Sequence, residues 1–210
     1  MTTDRNELPL VLACTGGIGS GKTFVAGIFE HIGVPVYYSD SRAKELYFKD
    51  RELVESLVGL LGEDVVDGTL DNGIPKLDFK RFASKIFGDS TLKKSVEEIV
   101  HPAVLRDFEG WRRCYCSKNK YVMIESAIIL ELPVFNSLEK KILAVVAPEE
   151  LRLKRVMDRD KALKEMVLSR IRAQWSDRQR EAMADFVIFA DEKRPLIEQV
   201  LCVDRAMKRI

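Results

Sequence analysis

The chain has 210 residues, which fits one domain, or one domain with a small insertion, around a substantial hydrophobic core. Its 34 Lys and Arg residues almost balance its 33 Asp and Glu residues, and this balance gives no global field that would attract nucleic acid or an acidic membrane. The four cysteines have no metal-site spacing such as C-x-x-C. The charged start MTTDRNELP is unlike a signal peptide, and no apolar run approaches the ~20 residues of a membrane span. We therefore expect a cytoplasmic protein with reduced thiols that binds neither membrane nor nucleic acid.

Short β-like runs alternate with helical patterns along the chain; the runs are residues 10–15, 34–38, 121–126, 142–146 and 186–189. Alternation of this kind predicts parallel strands joined by right-handed crossovers, hence a doubly wound α/β fold with a parallel five-stranded sheet flanked by helices. Ligands of such sheets bind at the carboxyl ends of the strands.

The first β-like run leads into TGGIGSGKT, residues 15–23, which matches the phosphate-loop pattern G-x-x-x-x-G-K-[ST] in full. An amphipathic helical pattern follows, as the phosphate loop requires. Glycines let backbone N–H groups turn toward an anion, Lys22 reaches the outer phosphates of a nucleotide, and the Thr23 hydroxyl is suited to bind Mg²⁺. The alternative is a glycine-rich turn with an incidental lysine. The predicted ATP-binding residues of the loop are Gly16, Gly17, Ile18, Gly19, Ser20, Gly21, Lys22, Thr23 and Phe24.

Two long insertions separate the β-like runs. Residues 41–120 look helical apart from the Gly- and Asp-rich stretch 62–78, where we expect a loop at 68–75. Residues 148–184 begin with Pro148 and two glutamates, a good helix start, and are rich in Arg and Lys. Arg155 and Arg159 share one helix face, so both side chains can point to one anion; alternatively, they belong to a solvated charged face.

Three classes of nucleotide-binding protein compete for this phosphate loop. A GTPase switch needs an Asn-Lys-x-Asp sequence, and Asn119-Lys120 is not followed by that aspartate. A nucleic-acid-driven ATPase usually carries a basic track on a larger chain, which the balanced charge does not support. A small-molecule kinase fits best, because phosphoryl transfer depends mainly on positioning and charge compensation.

Two carboxylates support the kinase hypothesis. Asp40 follows the run 34–38, and from the carboxyl edge of the sheet it can orient an acceptor hydroxyl and take its proton; it is equally well suited to cap the next helix. Glu125 closes the run 121–126 and can hold Mg²⁺ through water; the alternative is a solvated acid at the end of a strand.

This combination of motifs resembles the dephospho-CoA kinase family of P-loop kinases. The stretches that carry the resemblance are residues 15–23, Gly33-Val34-Pro35-Val36 leading to Asp40, His101-Pro102 with Arg106, residues 125–131, and residues 155–160 with Arg170-Ile171 and Gln174. They span nearly the whole chain in the order that the family has them.

The resemblance implies three parts: a nucleotide-binding core of residues 1–40, 121–147 and 185–210, a helical region 41–120 that binds coenzyme A, and a lid 148–184. It also implies that ATP, with Mg²⁺, phosphorylates the ribose 3′-hydroxyl of dephospho-CoA. Asp40 is then the general base, Lys22 and Arg159 stabilise the transferred group, and Arg155 contacts ATP. We expect a monomer or a small homo-oligomer.

The residues assigned to the acceptor are His101, Arg106, Arg81 and Glu131. Without the resemblance, His101 before Pro102 is instead a helix cap. The runner-up function is a kinase of a smaller acceptor, such as a nucleotide or a shikimate-like acid. The size of region 41–120 favours an extended, pyrophosphate-bearing acceptor over these.

Some positions depart from the family's usual pattern. Tyr38-Ser39-Asp40 retains only the second of two usual aspartates, which keeps the base but removes any role of the first. Phe24 replaces a small hydroxyl residue, although its backbone N–H can still face a phosphate. Ala190 stands where an asparagine is common, and this weakens the prediction of how adenine is bound.

Overall fold

The structure, a computed structural model, describes residues 8–116 and 118–210. They fall into two compact units: a sheet unit, which comprises residues 8–38 and the described residues from 111 to 210, and a helical unit, Ser39–Gly110. Within the described ranges, no helix has both the length and the apolar character that crossing a bilayer demands.

The strands and helices follow one another along the chain as β1 (Leu10–Thr15), α1 (Lys22–His31), β2 (Val36–Tyr38), α2 (Ser39–Lys49), α3 (Arg51–Leu61), β3 (Val66–Thr69), β4 (Pro75–Leu77), α4 (Phe79–Ile86), α5 (Ser90–Arg113), β5 (Tyr121–Glu125), β6 (Lys141–Val146), α6 (Glu149–Asp160), α7 (Lys164–Arg172), α8 (Asp177–Met183), β7 (Phe186–Phe189) and α9 (Leu196–Met207).

The sheet unit contains a parallel five-stranded sheet in the order β2-β5-β1-β6-β7. On one face, Leu12 of β1 and Met123 of β5 pack with Phe29 of α1 and Val200 of α9. Side chains on the other face of β1 and β5, such as Val122, are buried as well. A parallel sheet covered on both faces produces continuous apolar runs. The predicted doubly wound α/β fold is therefore confirmed.

Strand β2 is shorter than the predicted run 34–38, and the backbone explains why. The N–H of Val34 donates to Phe29 O at the end of α1, at 3.0 Å, so this residue closes the helix. Pro35 has no N–H and contributes only its carbonyl, which accepts from Met123 N at 2.8 Å. Regular pairing with β5 therefore starts at Val36.

The helical unit contains an antiparallel hairpin that the sequence did not reveal. We predicted a loop at 68–75, but β3 and β4 extend into both ends of it and leave a turn of residues 70–74, with Val66 opposite Leu77. Asn72 holds the turn, because its Oδ1 accepts from Ile74 N at 3.1 Å and its Nδ2 donates to Phe48 O at 2.9 Å. Gly68 and Pro75, both poor strand residues, lie within these short strands and hide the pattern.

A buried hydrogen bond ties the sheet to its last helix and generates a stability prediction. Tyr121 Oη donates to Asp204 Oδ1 at 2.8 Å, and Lys208 Nζ lies 2.9 Å from the other carboxylate oxygen. Tyr121→Phe removes this donor while Lys208 remains, so the free energy of unfolding should fall by about 1–3 kcal/mol. Urea denaturation followed by tryptophan fluorescence measures this, since Trp111 and Trp175 both belong to the sheet unit. The partly exposed Tyr115→Phe is the matched control, and equal stabilities of the two variants would contradict the prediction.

Candidate active site

The phosphate loop connects the end of β1 to the start of α1, as its sequence pattern predicts. Gly19 and Gly21 have φ angles of 78° and 93°, in the left-handed region that favours glycine. The helix begins at Lys22, and its first turn is closed by the bond from Val25 N to Gly21 O at 3.0 Å. Free N–H groups at a helix N-terminus next to glycine-rich backbone make a site for an anion.

Glu125 is brought to the helix end of the loop by the pairing of β5 with β1. Its Oε1 accepts from Thr23 Oγ1 at 3.3 Å and lies 3.4 Å from Lys22 Nζ. Glu125 is only 4% exposed, so the alternative of a solvated acid at a strand end is wrong. A carboxylate that is buried to this extent requires a charged or hydrogen-bonding partner, and Lys22 and Thr23 provide both.

The thiol of Cys14 lies just before the loop and takes no part in this charge pairing. Burial raises the pKa of Cys14 well above its usual range, and the charge of Glu125 raises it further. The thiol therefore stays protonated, which excludes a nucleophilic role for Cys14 at neutral pH.

Glu125 and Thr23 also match what Mg²⁺ requires. This cation usually takes one or two protein oxygens and completes its shell with water and substrate phosphates. In the described ranges, no group of three or more His, Cys, Asp or Glu side chains forms a self-contained metal cage. The residues present therefore fit a cation that arrives with a nucleotide.

The outer side of the loop is bound by two residues from the predicted lid. Gln174 Oε1 accepts from Ile18 N at 2.8 Å, and Arg152 Nε donates to Ile18 O at 3.0 Å. Gln174 was part of the family resemblance but had no assigned role, and Arg152 was missed among the many positive residues of the segment. The available signal was its spacing: Arg152 precedes Val156 by one helical turn, so both lie on the buried face of α6.

The structure gives Arg155 and Arg159 separate partners rather than one shared anion site. Arg155 Nη2 donates to Ala190 O at 3.0 Å and to Glu192 Oε1 at 3.1 Å. Arg159, exposed at the end of α6, forms two hydrogen bonds with neighbouring Asp160 at 2.7 and 3.1 Å. The hydrogen bond from Arg159 is the main cause that lowers the pKa of Asp160.

Glu131 forms an ion pair with a fully buried arginine. Its Oε1 lies 3.2 Å from Arg180 Nη2 and accepts from Trp175 N at 3.4 Å. Arg180 is 1% exposed, also donates to Trp175 O, and has Asp177 on its other side at 3.8 Å. Burial lowers the pKa of Arg180, while Glu131 and Asp177 raise it.

In the helical unit, Asp40 and His101 both lie within helices. The alternative role of each as a helix cap is therefore wrong. Asp40 is the exposed second residue of α2, which begins at Ser39, so Asp40 is not its N-cap. His101 lies in the middle of α5, which continues through Pro102, so it does not cap a helix. Partial burial lowers the pKa of His101.

The two arginines assigned to the acceptor are exposed themselves and pair with nearby acids. Arg81 lies 3.1 Å from Asp78, and its Nη1 donates to Asp64 O. Arg106 lies 3.4 Å from Asp50 and 3.5 Å from Glu52. Ion pairs whose arginine is more than half exposed are screened by water and contribute about 0–1 kcal/mol.

Comparison with known proteins identifies the family. The family model for dephospho-CoA kinase matches residues 10–195. A dephospho-CoA kinase from Bacteroides fragilis (strain YCH46) is 36% identical over 197 residues, covering 92% of this chain and 91% of that protein. The crystal structure of TT1252 from Thermus thermophilus is similar, with a TM-score of 0.75, 28% identity and coverage of 95% of this chain and 98% of that one. A dephospho-CoA kinase structure from Campylobacter jejuni shares the fold at a TM-score of 0.61, with 23% identity and coverage of 96% and 98%.

The Glu131 ion pair generates a prediction about stability. Glu131→Gln leaves the buried guanidinium of Arg180 with only the more distant Asp177, so the free energy of unfolding should fall by about 3 kcal/mol. Urea denaturation, followed by the fluorescence of Trp175, gives the value. Glu181→Gln on the exposed side of α8 is the control and should change stability by less than about 0.5 kcal/mol. Equal effects of the two substitutions would show that the pair is not a structural element.

Proposed function

Because this chain belongs to the dephospho-CoA kinase family, we propose that it transfers the γ-phosphoryl group of ATP to the ribose 3′-hydroxyl of dephospho-CoA, which yields coenzyme A and ADP. The family match over residues 10–195 carries this proposal. The intact phosphate loop, with Lys22 and Thr23 held at Glu125, supports it from the geometry.

Lys22, Thr23 and Glu125 act on the phosphates of ATP. Glu125 holds the ammonium group of Lys22 and the hydroxyl group of Thr23 at the helix end of the loop before the nucleotide arrives. Such preorganisation reduces the reorganisation needed when charge moves from the γ-phosphate to ADP. Thr23, and Glu125 through water, would hold a Mg²⁺ ion, which would neutralise charge on the phosphates of ATP.

Asp40 acts on the acceptor. It follows β2 by two residues in a parallel sheet, and the carboxyl ends of such strands carry the ligand-binding residues. Its carboxylate accepts the proton of the 3′-hydroxyl as the new oxygen–phosphorus bond forms and the bond to ADP breaks. The exposure of Asp40 is consistent with this role, because the carboxylate must reach a bound acceptor.

The lid arginines complete the charge compensation. Arg155 contacts ATP, next to Ala190, whose carbonyl oxygen accepts a hydrogen bond from its guanidinium. Arg159 stabilises the transferred phosphoryl group, and its exposed ion pair with Asp160 is weak enough to be exchanged for a phosphate. His101, Arg81 and Arg106 help to hold the acceptor, and the two arginines bind its pyrophosphate by the same exchange. Glu131 contributes by holding Arg180 and therefore α8 in place.

The proposal is tested by coupled ADP release with dephospho-CoA, adenosine, AMP and shikimate offered in turn. We expect a clear preference for dephospho-CoA. Lys22→Ala should remain folded and lose about a thousandfold in turnover, because the cation that follows the moving charge is removed. A preference for adenosine, AMP or shikimate would reject the acceptor and leave the runner-up kinase.

Asp40→Asn tests the base in the same assay. The amide keeps the shape but cannot take the proton, so turnover should fall at least about a hundredfold while dephospho-CoA binding stays within a few-fold. Asp71→Asn, in the exposed turn between β3 and β4, is the matched control and should be fully active. Normal turnover of Asp40→Asn would remove Asp40 from the mechanism.

Arg159→Ala separates transition-state stabilisation from ground-state binding. We expect kcat to fall at least about tenfold more than ATP affinity, because the charge that Arg159 meets grows only in the transition state. Steady-state kinetics and direct ATP binding give the two quantities, with the exposed Arg172→Ala of α7 as the control. An equal loss of both would reassign Arg159 to ATP binding, and no loss would make it a solvated surface residue.

A further inference from the structure

Arg152 connects the phosphate loop to two helices that lie far along the chain. Its Nε donates to Ile18 O, 134 positions away, and its Nη1 lies 3.1 Å from Asp177 at the start of α8. Its side chain is 5% exposed. The guanidinium is therefore fixed on one side by an acid and on the other by loop backbone, in a place with little access to water.

The guanidinium of Arg152 also occupies the space that a side chain on Gly17 would need. A Cβ atom built on Gly17 would lie 2.2 Å from Nη2 and 2.6 Å from Cζ of Arg152. Gly17 does not have a left-handed φ angle, so space rather than backbone conformation requires glycine at this position. Within the described part of the chain, this Nη2 is buried without a hydrogen-bond partner. The guanidinium therefore lies against the loop even though its buried Nη2 carries the desolvation cost of an unsatisfied donor.

The bond to Ile18 O has a direct consequence for the loop's N–H groups. In a planar trans peptide, the carbonyl of one residue and the N–H of the next point in opposite directions. When Arg152 binds Ile18 O on the outer side of the loop, the N–H of Gly19 is directed to the inner side. Gln174 accepts from the preceding N–H, that of Ile18, and fixes the neighbouring peptide.

We infer that Arg152 is a positioning residue for nucleotide binding: it fixes the Ile18 peptide so that the loop presents its N–H groups to the phosphates, and Gly17 is glycine because Arg152 fills that space. The inference rests on the proposed use of the loop for ATP. Arg152 touches the loop rather than the nucleotide, so its loss weakens binding of the phosphates without altering the acceptor site.

A double-mutant cycle with Gly17→Ala and Arg152→Ala tests the contact, with the dissociation constant of ADP measured by calorimetry. In the wild-type background, the added methyl group meets the guanidinium, and ADP binding should weaken at least about tenfold. In the Arg152→Ala background that space is empty, and the same substitution should cost no more than about threefold. Equal costs in the two backgrounds would overturn the inference.

The kinetic pattern distinguishes positioning from general stability. Arg152→Ala should raise the KM for ATP at least about tenfold and leave the KM for dephospho-CoA within about twofold. Exposed Arg178→Ala on α8 is the matched control and should change neither. A lower melting temperature with an unchanged ATP KM would show that Arg152 serves stability alone and would also overturn the inference.

Two further measurements keep the test decisive. If Arg152→Ala does not fold, Asp177→Asn loosens the guanidinium more gently and should raise the ADP dissociation constant about threefold or more; an unchanged constant rejects the inference. ADP binding needs no acceptor. A wild-type protein that binds ADP but does not convert ATP to ADP when dephospho-CoA is offered would therefore refute the proposed function. The double-mutant cycle would still test the role of Arg152, because it measures ADP binding alone.

Discussion

The contact between the phosphate loop and the sheet centres on one buried ion pair, that of Glu125 with Lys22. Glu125 is 4% exposed at the carboxyl end of a central strand, where an unpaired charge would strongly favour protonation or local opening. Lys22 and Thr23 compensate it, and both belong to the first turn of the helix that follows the phosphate loop. The pairing of this charge therefore depends both on the register of β5 against β1 and on where α1 begins.

The outer side of the loop is a second constraint, and the segment 148–184 satisfies it. Backbone N–H and C=O groups that turn outward from a buried loop need partners. Ile18 finds both in Gln174 and Arg152, and Arg155 Nη1 approaches Gly19 O at 3.5 Å. The conformation of the phosphate loop is thus not a property of its nine residues alone. Hydrogen bonds from α6 and from the segment between α7 and α8, more than a hundred positions further along the chain, also hold it.

The sequence predicted what local patterns encode and missed what depends on tertiary pairing. Continuous apolar runs predicted five parallel strands, and glycine spacing predicted the loop, because both are read from neighbouring residues. The hairpin β3–β4 escaped because Gly68 and Pro75 conceal two very short strands. Arg152 and the pair Glu131–Arg180 escaped for another reason: a charged residue on a helix is usually solvated, and its burial depends on partners distant in sequence. Only the one-turn spacing to Val156 indicated that Arg152 faces inward.

Exposure separates two pairs of arginines in the described part of the chain, one pair almost fully buried and the other more than half exposed. The side chains of Arg152 and Arg180 are 5% and 1% exposed, so breaking either ion pair would leave an uncompensated charge in a low-dielectric interior. By contrast, Arg159 and Arg106 are 65% and 53% exposed, and their acidic partners are held only weakly through water-screened contacts. The first group therefore holds backbone and helices in fixed positions. The second keeps its charge available, because an anionic substrate can displace a surface carboxylate at small cost. The dielectric environment that the fold gives each arginine therefore separates the two that hold the framework from the two for which we propose a role at the substrate.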